Sequence, residues 1–127
     1  MNKIGIIGAG LIGSSWSAIF ASKGYEVYVY DKNQEAFENF NQRVELFLNE
    51  LKHIDEEIDI KNATNKIFPK IDLESLCKTC QFIQECSPEI VFLKQELFAK
   101  IDNLAPKEAI LSSSSSAMPI SLITQNL

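Results

Sequence analysis

The sequence has no long apolar run and no excess of positive charge. None of its hydrophobic stretches approaches the roughly 20 consecutive apolar residues that span a bilayer. The net charge is −5, the pI is near 4.9, and no basic stripe alternates with aromatic side chains. The apolar run after Lys3 lacks the small-residue cleavage site of a secretory signal. We therefore expect a cytoplasmic protein with neither a membrane nor a nucleic acid as partner.

Metal ligands are also scarce. The single histidine, His53, lies in a different predicted helix from the Cys77 and Cys80 pair, so a zinc site there would lack a nearby fourth ligand. This C-x-x-C pair closes a short predicted helix ahead of a strand, whereas a redox pair normally follows a strand and opens a helix. We predict no metal site, a surface position for His53, and ordinary reduced thiols at all three cysteines, the third being Cys86.

Three glycines near the N-terminus interrupt an apolar run that then continues as a helix. Residues 3–7 are predicted to form a strand, and Gly8, Gly10 and Gly13 follow in the pattern G-x-G-x-x-G. In this motif the first glycine permits a tight turn, the second lets backbone N–H groups approach a pyrophosphate, and the third lets the helix pack on the strand. The N–H groups and the positive end of the helix dipole can then bind an anion.

The residues after the motif complete a strand–helix–strand unit. The helix is predicted from apolar residues that recur at helical spacing: Leu11, Ile12, Trp16, Ile19 and Phe20. Lys23 and Gly24 supply its C-terminal stop. A second strand over residues 26–30 ends at Asp31, where a dinucleotide-binding fold places the acid that accepts hydrogen bonds from the adenosine ribose. The alternative is a strand–helix–strand unit in which the glycines only form a tight turn and do not mark a cofactor site.

The rest of the chain continues to alternate helices and strands, within the 127 residues and 46% hydrophobic content of one compact domain. An amphipathic helix is predicted over about residues 33–52, and the polar residues 55–65 predict either a weaker helix or an exposed arm. Three more strands are predicted at residues 67–69, 81–86 and 109–113. Helices are predicted to begin at Asp72, at Ser87 and at Pro119.

Five consecutive serines, residues 112–116, extend the last predicted strand. They could form a flexible linker. However, the carboxyl ends of parallel strands form the edge at which open α/β sheets bind ligands. We therefore predict a hydroxyl-lined turn beside the cofactor.

Residues 8–16 (GAGLIGSSW), residues 84–89 (QECSPE) with Lys94, and residues 110–116 (ILSSSSS) are the most distinctive segments. Together they resemble the NAD-binding domain of the 3-hydroxyacyl-CoA dehydrogenase family, and most of all its branch that contains lambda-crystallin, also known as L-gulonate 3-dehydrogenase. The resemblance covers essentially the whole chain, residues 1–127. It implies an α/β, Rossmann-type doubly wound parallel sheet with strand order 3-2-1-4-5 and a long helical insertion between strands 2 and 3.

The resemblance also implies which residues bind NAD. They are Gly8, Gly10, Leu11, Ile12, Gly13, Asp31, Glu89 and Lys94. Leu11 and Ile12 match the loop positions whose backbone meets the pyrophosphate, and Asp31 matches the acid that binds the ribose. Glu89 and Lys94 match a pair that lies against the nicotinamide half of the cofactor.

At the substrate end, Ser116 matches the serine that contacts the oxygen on the reacting carbon. Ser115 stands where the family usually has threonine, and Ala117 stands where it often has serine. The family's catalytic histidine, held by a glutamate, lies beyond Leu127, as does the helical domain that binds substrate and forms the homodimer. We therefore expect these 127 residues to bind NAD without turnover.

The implied activity is that of an NAD-dependent oxidoreductase of fatty acid metabolism. It would oxidise the 3-hydroxy group of a 3-hydroxyacyl-CoA or of a free 3-hydroxy acid, with hydride transfer to NAD. The alternative is a non-enzymatic NAD-binding module or a crystallin-like structural protein.

Overall fold

The computed structural model describes residues 2–86, 91–104 and 110–113, which contain a five-stranded parallel sheet. Its strands are β1 (Lys3–Ile7), β2 (Glu26–Tyr30), β3 (Ile67–Phe68), β4 (Phe82–Glu85) and β5 (Ile110–Ser113). The strand order is β3-β2-β1-β4-β5, and every neighbouring pair is parallel. The strand order implied by the resemblance is therefore confirmed, and each strand begins and ends within one residue of its predicted position.

Helices cover both faces of the sheet. They are α1 (Leu11–Ser22), α2 (Phe40–Ile54), α3 (Ile60–Asn65), α4 (Leu73–Thr79) and α5 (Val91–Leu104). The first three pack on one face and the last two on the other. Successive side chains of a strand point to opposite faces, so Ile4 and Ile6 join the first core cluster and Ile7 joins the second. In the described part of the chain no helix is both long and apolar enough to cross a membrane.

The insertion between β2 and β3 is helical, as predicted, but the single helix predicted over residues 33–52 is interrupted. Gln34–Phe37 form a 3-10 turn, and α2 begins only at Phe40. Asn33 initiates the short turn, because its side chain accepts a hydrogen bond from the backbone N–H two residues later. Phe37 and Phe40 are both buried, with ring centroids 5.7 Å apart. The prediction of one continuous helix was therefore wrong at its N-terminal end.

The buried face of α1 also differs from the predicted apolar stripe. Leu11 and Ile12 are 66% and 51% exposed. The buried positions carry small residues instead: Gly13, Ser14, Ser17, Ala18 and Ala21. Small side chains let α1 approach both the sheet and α2 closely, and this close approach decides which face is buried. The last three members of the predicted stripe are half-buried: Trp16, Ile19 and Phe20.

The end of α1 lies where Lys23 and Gly24 predicted it. Gly24 has a φ of +95°, and its N–H donates to the Ala21 carbonyl at 3.0 Å. The Tyr25 N–H donates to the Phe20 carbonyl at 3.2 Å. These two bonds form a Schellman motif, which satisfies the last helical carbonyls and directs the chain into β2.

Candidate cofactor-binding site

The loop between β1 and α1, residues 8–10, turns at the carboxyl edge of the sheet. Gly8 has a φ of +111°, a conformation that glycine adopts without steric cost. Its N–H donates to the Tyr30 carbonyl at 2.8 Å, which ties the loop to the end of β2. A Cβ on Gly13 would overlap the carbonyl oxygen of Gly8. The helix can therefore lie this close to the loop only because position 13 has no side chain.

Gly10 leaves open space above the loop. Its φ of −76° suits any residue, and a Cβ built on it would meet no heavy atom within 4 Å. The fold itself therefore does not require glycine here. Gly10 gives α1 no side-chain cap, and the first N–H groups of a helix have no partners within it. Backbone N–H donors at a helix N-terminus beside open space fit a pyrophosphate.

Asp31 follows β2 and contacts the same loop. Its Oδ2 accepts a hydrogen bond from the Ala9 N–H at 2.8 Å, and its Oδ1 accepts one from the Asn33 N–H at 2.8 Å. Since a carboxylate offers roughly four lone-pair sites, Asp31 can still accept hydrogen bonds from hydroxyl groups. The Asp31 carboxylate therefore orders the loop. This role adds to the ribose contact that the sequence predicts for it.

Arg43 of α2 also contacts the loop, although nothing in the sequence pattern singled it out. Its Nη2 donates to the carbonyls of Ala9 at 2.7 Å and Ala36 at 2.8 Å. Its Nε donates to the Ser14 hydroxyl at 3.0 Å. The only available signal was its position, three residues after the buried Phe40, where the apolar stripe of α2 would otherwise continue.

Glu85 is a second side chain at this edge to which sequence reasoning assigned no role. It ends β4, in register with Ile7 of β1 and Ser113 of β5, and it is 0% exposed. Carboxylates are almost never fully buried unless they are paired. The sequence did contain a signal for Glu85, because this acid ends a predicted strand at the edge where ligands bind.

The structure brings together six of the predicted cofactor-binding residues. Around this one loop lie Gly8, Gly10, Leu11, Ile12, Gly13 and Asp31. Glu89 and Ser116 lie outside the described residues, as does most of the serine turn. Lys94 belongs to α5, but its side chain lies outside the described part. The nicotinamide and substrate positions therefore stay predictions.

The C-x-x-C cysteines, Cys77 in α4 and Cys80 just after it, are buried in the apolar cluster on the other face of the sheet. Cys77 and Cys80 are free thiols with 0% and 1% exposure. Burial raises the pKa of Cys77 to about 11 and that of Cys80 to about 12. A reactive thiol needs the opposite shift. The described residues contain no group of three side chains that could hold a metal ion, and His53 lies exposed in the last turn of α2.

A family model described as "3-hydroxyacyl-CoA dehydrogenase, NAD binding domain" matches residues 3–127. The chain belongs to this family. It is 36% identical over 127 residues to the lambda-crystallin homolog of Rattus norvegicus, covering 94% of this chain and 39% of that protein. It is 29% identical over 120 residues to L-carnitine dehydrogenase of Streptomyces coelicolor, covering 94% of this chain and 37% of that enzyme. The chain thus spans less than half the length of these relatives.

Solved structures share the fold. A 3-hydroxybutyryl-CoA dehydrogenase from Escherichia coli K12 matches with a TM-score of 0.87 and 22% identity, over 99% of this chain and 27% of that one. An (S)-3-hydroxybutyryl-CoA dehydrogenase from Ralstonia eutropha matches with a TM-score of 0.84 and 22% identity, over 97% of this chain and 44% of that one. The family match and these structures confirm the predicted resemblance and the Rossmann-type fold of an NAD-binding domain.

Proposed function

We propose that this chain binds NAD across the loop of residues 8–10 and serves as the cofactor domain of a dehydrogenase that oxidises a 3-hydroxy group. When bound, NAD supplies a hydride acceptor. The observation that carries the proposal is the combination at one sheet edge of the open space over Gly10, the first N–H groups of α1 and the Asp31 carboxylate.

Each part of this site has a task in the proposal. The N–H groups at the start of α1 bind the pyrophosphate, and Asp31 accepts hydrogen bonds from the ribose hydroxyls. The side chains of Leu11 and Ile12, which are more than half exposed, lie against the bound cofactor and are removed from water by it. Glu89 and Lys94 line the nicotinamide half of the cofactor.

Ser116 orients the substrate hydroxyl, and proton transfer is assigned to the family's histidine and glutamate, which correspond to positions beyond residue 127. General acid–base catalysis contributes on the order of 10²–10⁴-fold to a rate. The residues of this chain therefore account for binding of the cofactor, whereas proton transfer and substrate binding are assigned to the family's histidine, glutamate and substrate domain.

The substrate class follows from the relatives. L-carnitine and 3-hydroxybutyryl-CoA, after which two of the similar dehydrogenases are named, both carry a hydroxyl on carbon 3. One is a free acid and the other a thioester. We propose a small molecule of this kind as substrate and, from the resemblance, a homodimeric enzyme. The three free thiols fit the reducing conditions of the cytoplasm.

Cofactor choice tests the role of Asp31. Its carboxylate should repel the 2′-phosphate of NADP, so we expect NAD to bind at least about tenfold more tightly than NADP. Asp31→Ala should weaken NAD binding, because it removes the ribose acceptor and releases the Ala9 N–H. Asp59→Ala is the matched control, since Asp59 also accepts from a backbone N–H, at the start of α3. Equal affinity for the two cofactors, or an Asp31→Ala variant that binds NAD normally, would contradict the proposal.

Measuring turnover tests whether these residues bind NAD without supplying the catalytic base. NAD binding by calorimetry and NADH formation by absorbance should be measured on the same sample, with a 3-hydroxyacyl-CoA, L-carnitine and L-gulonate as substrates. The 127 residues should bind NAD without steady turnover. NADH formation by these residues alone would overturn the assignment of the base to positions beyond 127. A failure to bind NAD would overturn the cofactor proposal itself.

A further inference from the structure

Arg43 is the only arginine in the sequence. It reaches the glycine loop directly at Ala9 and indirectly through Ser14. We propose that Arg43 is the positioning residue of this loop: it orients the peptides on both sides of Gly10 so that their N–H groups meet the pyrophosphate of NAD. The inference rests on the proposed NAD binding, and its test separates the two.

Arg43 contacts the loop directly at Ala9. The Ala9 carbonyl accepts from Arg43 Nη2 at 2.7 Å, and the Ala9 N–H is held by Asp31 at 2.8 Å. The carbonyl and the N–H of a trans peptide point in opposite directions, and the described residues contain no cis peptide. Because Arg43 holds the Ala9 carbonyl, the N–H of Gly10 points away from the guanidinium. Gly10 is exposed, on the side where the space is open.

Arg43 also reaches the loop indirectly through Ser14. Arg43 Nε donates to the Ser14 hydroxyl at 3.0 Å, and that hydroxyl donates to the Gly10 carbonyl at 2.7 Å. The Gly10 carbonyl belongs to the peptide that carries the Leu11 N–H. Arg43 therefore acts directly on the peptide before Gly10 and through Ser14 on the peptide after it.

The charge of Arg43 also favours an anion at this loop. All three of its hydrogen-bond acceptors named above are neutral, and in the part of the chain that the structure describes Arg43 forms no salt bridge. Its positive charge is therefore not neutralised by a carboxylate there. An unneutralised guanidinium behind the loop adds to the positive end of the α1 dipole.

A purely structural role of Arg43 would affect ligand binding differently from a positioning role. Arg43 also donates to the Ala36 carbonyl, so it joins the 3-10 turn, α2 and α1, and its loss could simply destabilise the fold. Destabilisation would weaken every ligand by the same factor. A positioning role weakens the ligands that carry the pyrophosphate and spares those that lack it.

The test compares ADP-ribose with adenosine, which share the ribose and the base but differ in the pyrophosphate. Arg43→Gln should raise the Kd of ADP-ribose by roughly tenfold or more, since hydrogen bonds to charged groups are the stronger ones, and should leave the Kd of adenosine nearly unchanged. Arg43→Lys should be intermediate, because an ammonium keeps the charge without the planar fork. Lys52→Gln, which removes a charge from the exposed last turn of α2, should bind both ligands normally.

Hydrogen exchange supplies a readout that needs no ligand. The Ala9 amide is bonded to Asp31 in a residue with 0% exposure, so its exchange reports the order of the loop. Arg43→Gln should accelerate exchange at Ala9 more than at the buried Val29 of β2, whereas global destabilisation would accelerate both alike. Equal acceleration, or equal loss of ADP-ribose and adenosine affinity, would overturn the inference. If the wild-type protein binds no NAD, the proposed function fails, and the exchange comparison still decides whether Arg43 orders the loop.

Discussion

Both faces of the sheet bury an apolar cluster, but they differ in the hydrogen bonds that join their elements. Near the glycine loop, the face under α1 and α2 is connected by directional bonds, in which Asp31, Arg43 and Ser14 link separate elements. The face under α4 and α5 is formed by a cluster of aliphatic side chains and thiols: Ile7, Leu76, Cys77, Cys80, Ile83 and Ile101. Apolar burial stabilises without fixing directions, whereas hydrogen bonds fix the orientation of each peptide.

This difference matters because cofactor binding depends on orientation. N–H groups that bind a pyrophosphate must point at it, and only the first face carries bonds that direct them. Variants on the first face should therefore change stability and NAD binding separately. Variants on the second face should change stability alone.

The largest effect is expected from Gly13→Ala. The new Cβ would overlap the Gly8 carbonyl oxygen and lie 2.8 Å from the Gly8 carbonyl carbon. Backbone atoms cannot rotate away as a flexible side chain can, so α1 would have to move off the loop. We expect the free energy of unfolding in urea to fall by more than about 3 kcal/mol and NAD binding to be lost.

Two further variants sharpen that result. Gly10→Ala places its Cβ in open space, so it should change stability by less than about 1 kcal/mol while raising the Kd of NAD, whose pyrophosphate needs that space. Leu76→Ala, on the other face, removes a side chain with 0% exposure and should cost about 3 kcal/mol with normal NAD affinity in the folded protein. Normal NAD binding by Gly10→Ala would show that the space over the loop is not the site.

Local sequence patterns were enough to predict the scaffold of the first face. The strands at residues 3–7 and 26–30, the glycines and Asp31 follow one another at fixed spacing, and each has a backbone reason to be where it is. The helix stop at Gly24 likewise depends on local chemistry, because glycine adopts a positive φ at no steric cost. Such features need no knowledge of what lies across the fold.

Tertiary packing determined what the sequence patterns did not predict. Leu11 and Ile12 belong to the apolar pattern that predicted α1, yet both are exposed, because the close approach to neighbouring elements requires small residues on the buried side. The sequence patterns assigned no role to Arg43, because its partner Ala9 is 34 positions away. No local rule relates a guanidinium to a carbonyl at that separation.

A smaller effect is expected on the second face at high pH. Burial raises the pKa of Cys77 from its ordinary value of 9.0 to about 11, and that of Cys80 to about 12. Below about pH 8 both thiols stay almost fully protonated in the folded and the unfolded chain, and stability changes little. Above it the unfolded chain releases its protons first, so each thiol should lower the free energy of unfolding by about 1.4 kcal/mol at one pH unit above its unfolded pKa.

Urea midpoints at pH 8 and pH 10 measure this loss. The double variant Cys77→Ala/Cys80→Ala is the control, because it keeps every other titrating group. It should lose less stability than the wild type over this interval. The same loss in both proteins would show that these thiols are not protected from ionisation by the fold.

The smallest effect distinguishes two buried serines of α1 that look alike in the sequence. The hydroxyls of Ser14 and Ser17 each donate to the carbonyl four residues earlier, at 2.7 Å, and both residues are 0% exposed. Only Ser14 also accepts a hydrogen bond from Arg43 Nε.

Ser17→Ala should therefore change the free energy of unfolding by only about 0.5 kcal/mol and leave ADP-ribose binding unchanged. Ser14→Ala should cost about 1 to 2 kcal/mol, because it leaves a charged donor without its acceptor. Ser14→Ala should also weaken ADP-ribose binding, and combining it with Arg43→Gln should cost less than the sum of the two single changes, since both remove the same bond. Equal effects of the two serine variants would show that the bond between Arg43 and Ser14 contributes nothing, and that the first face is held by packing, as the second is.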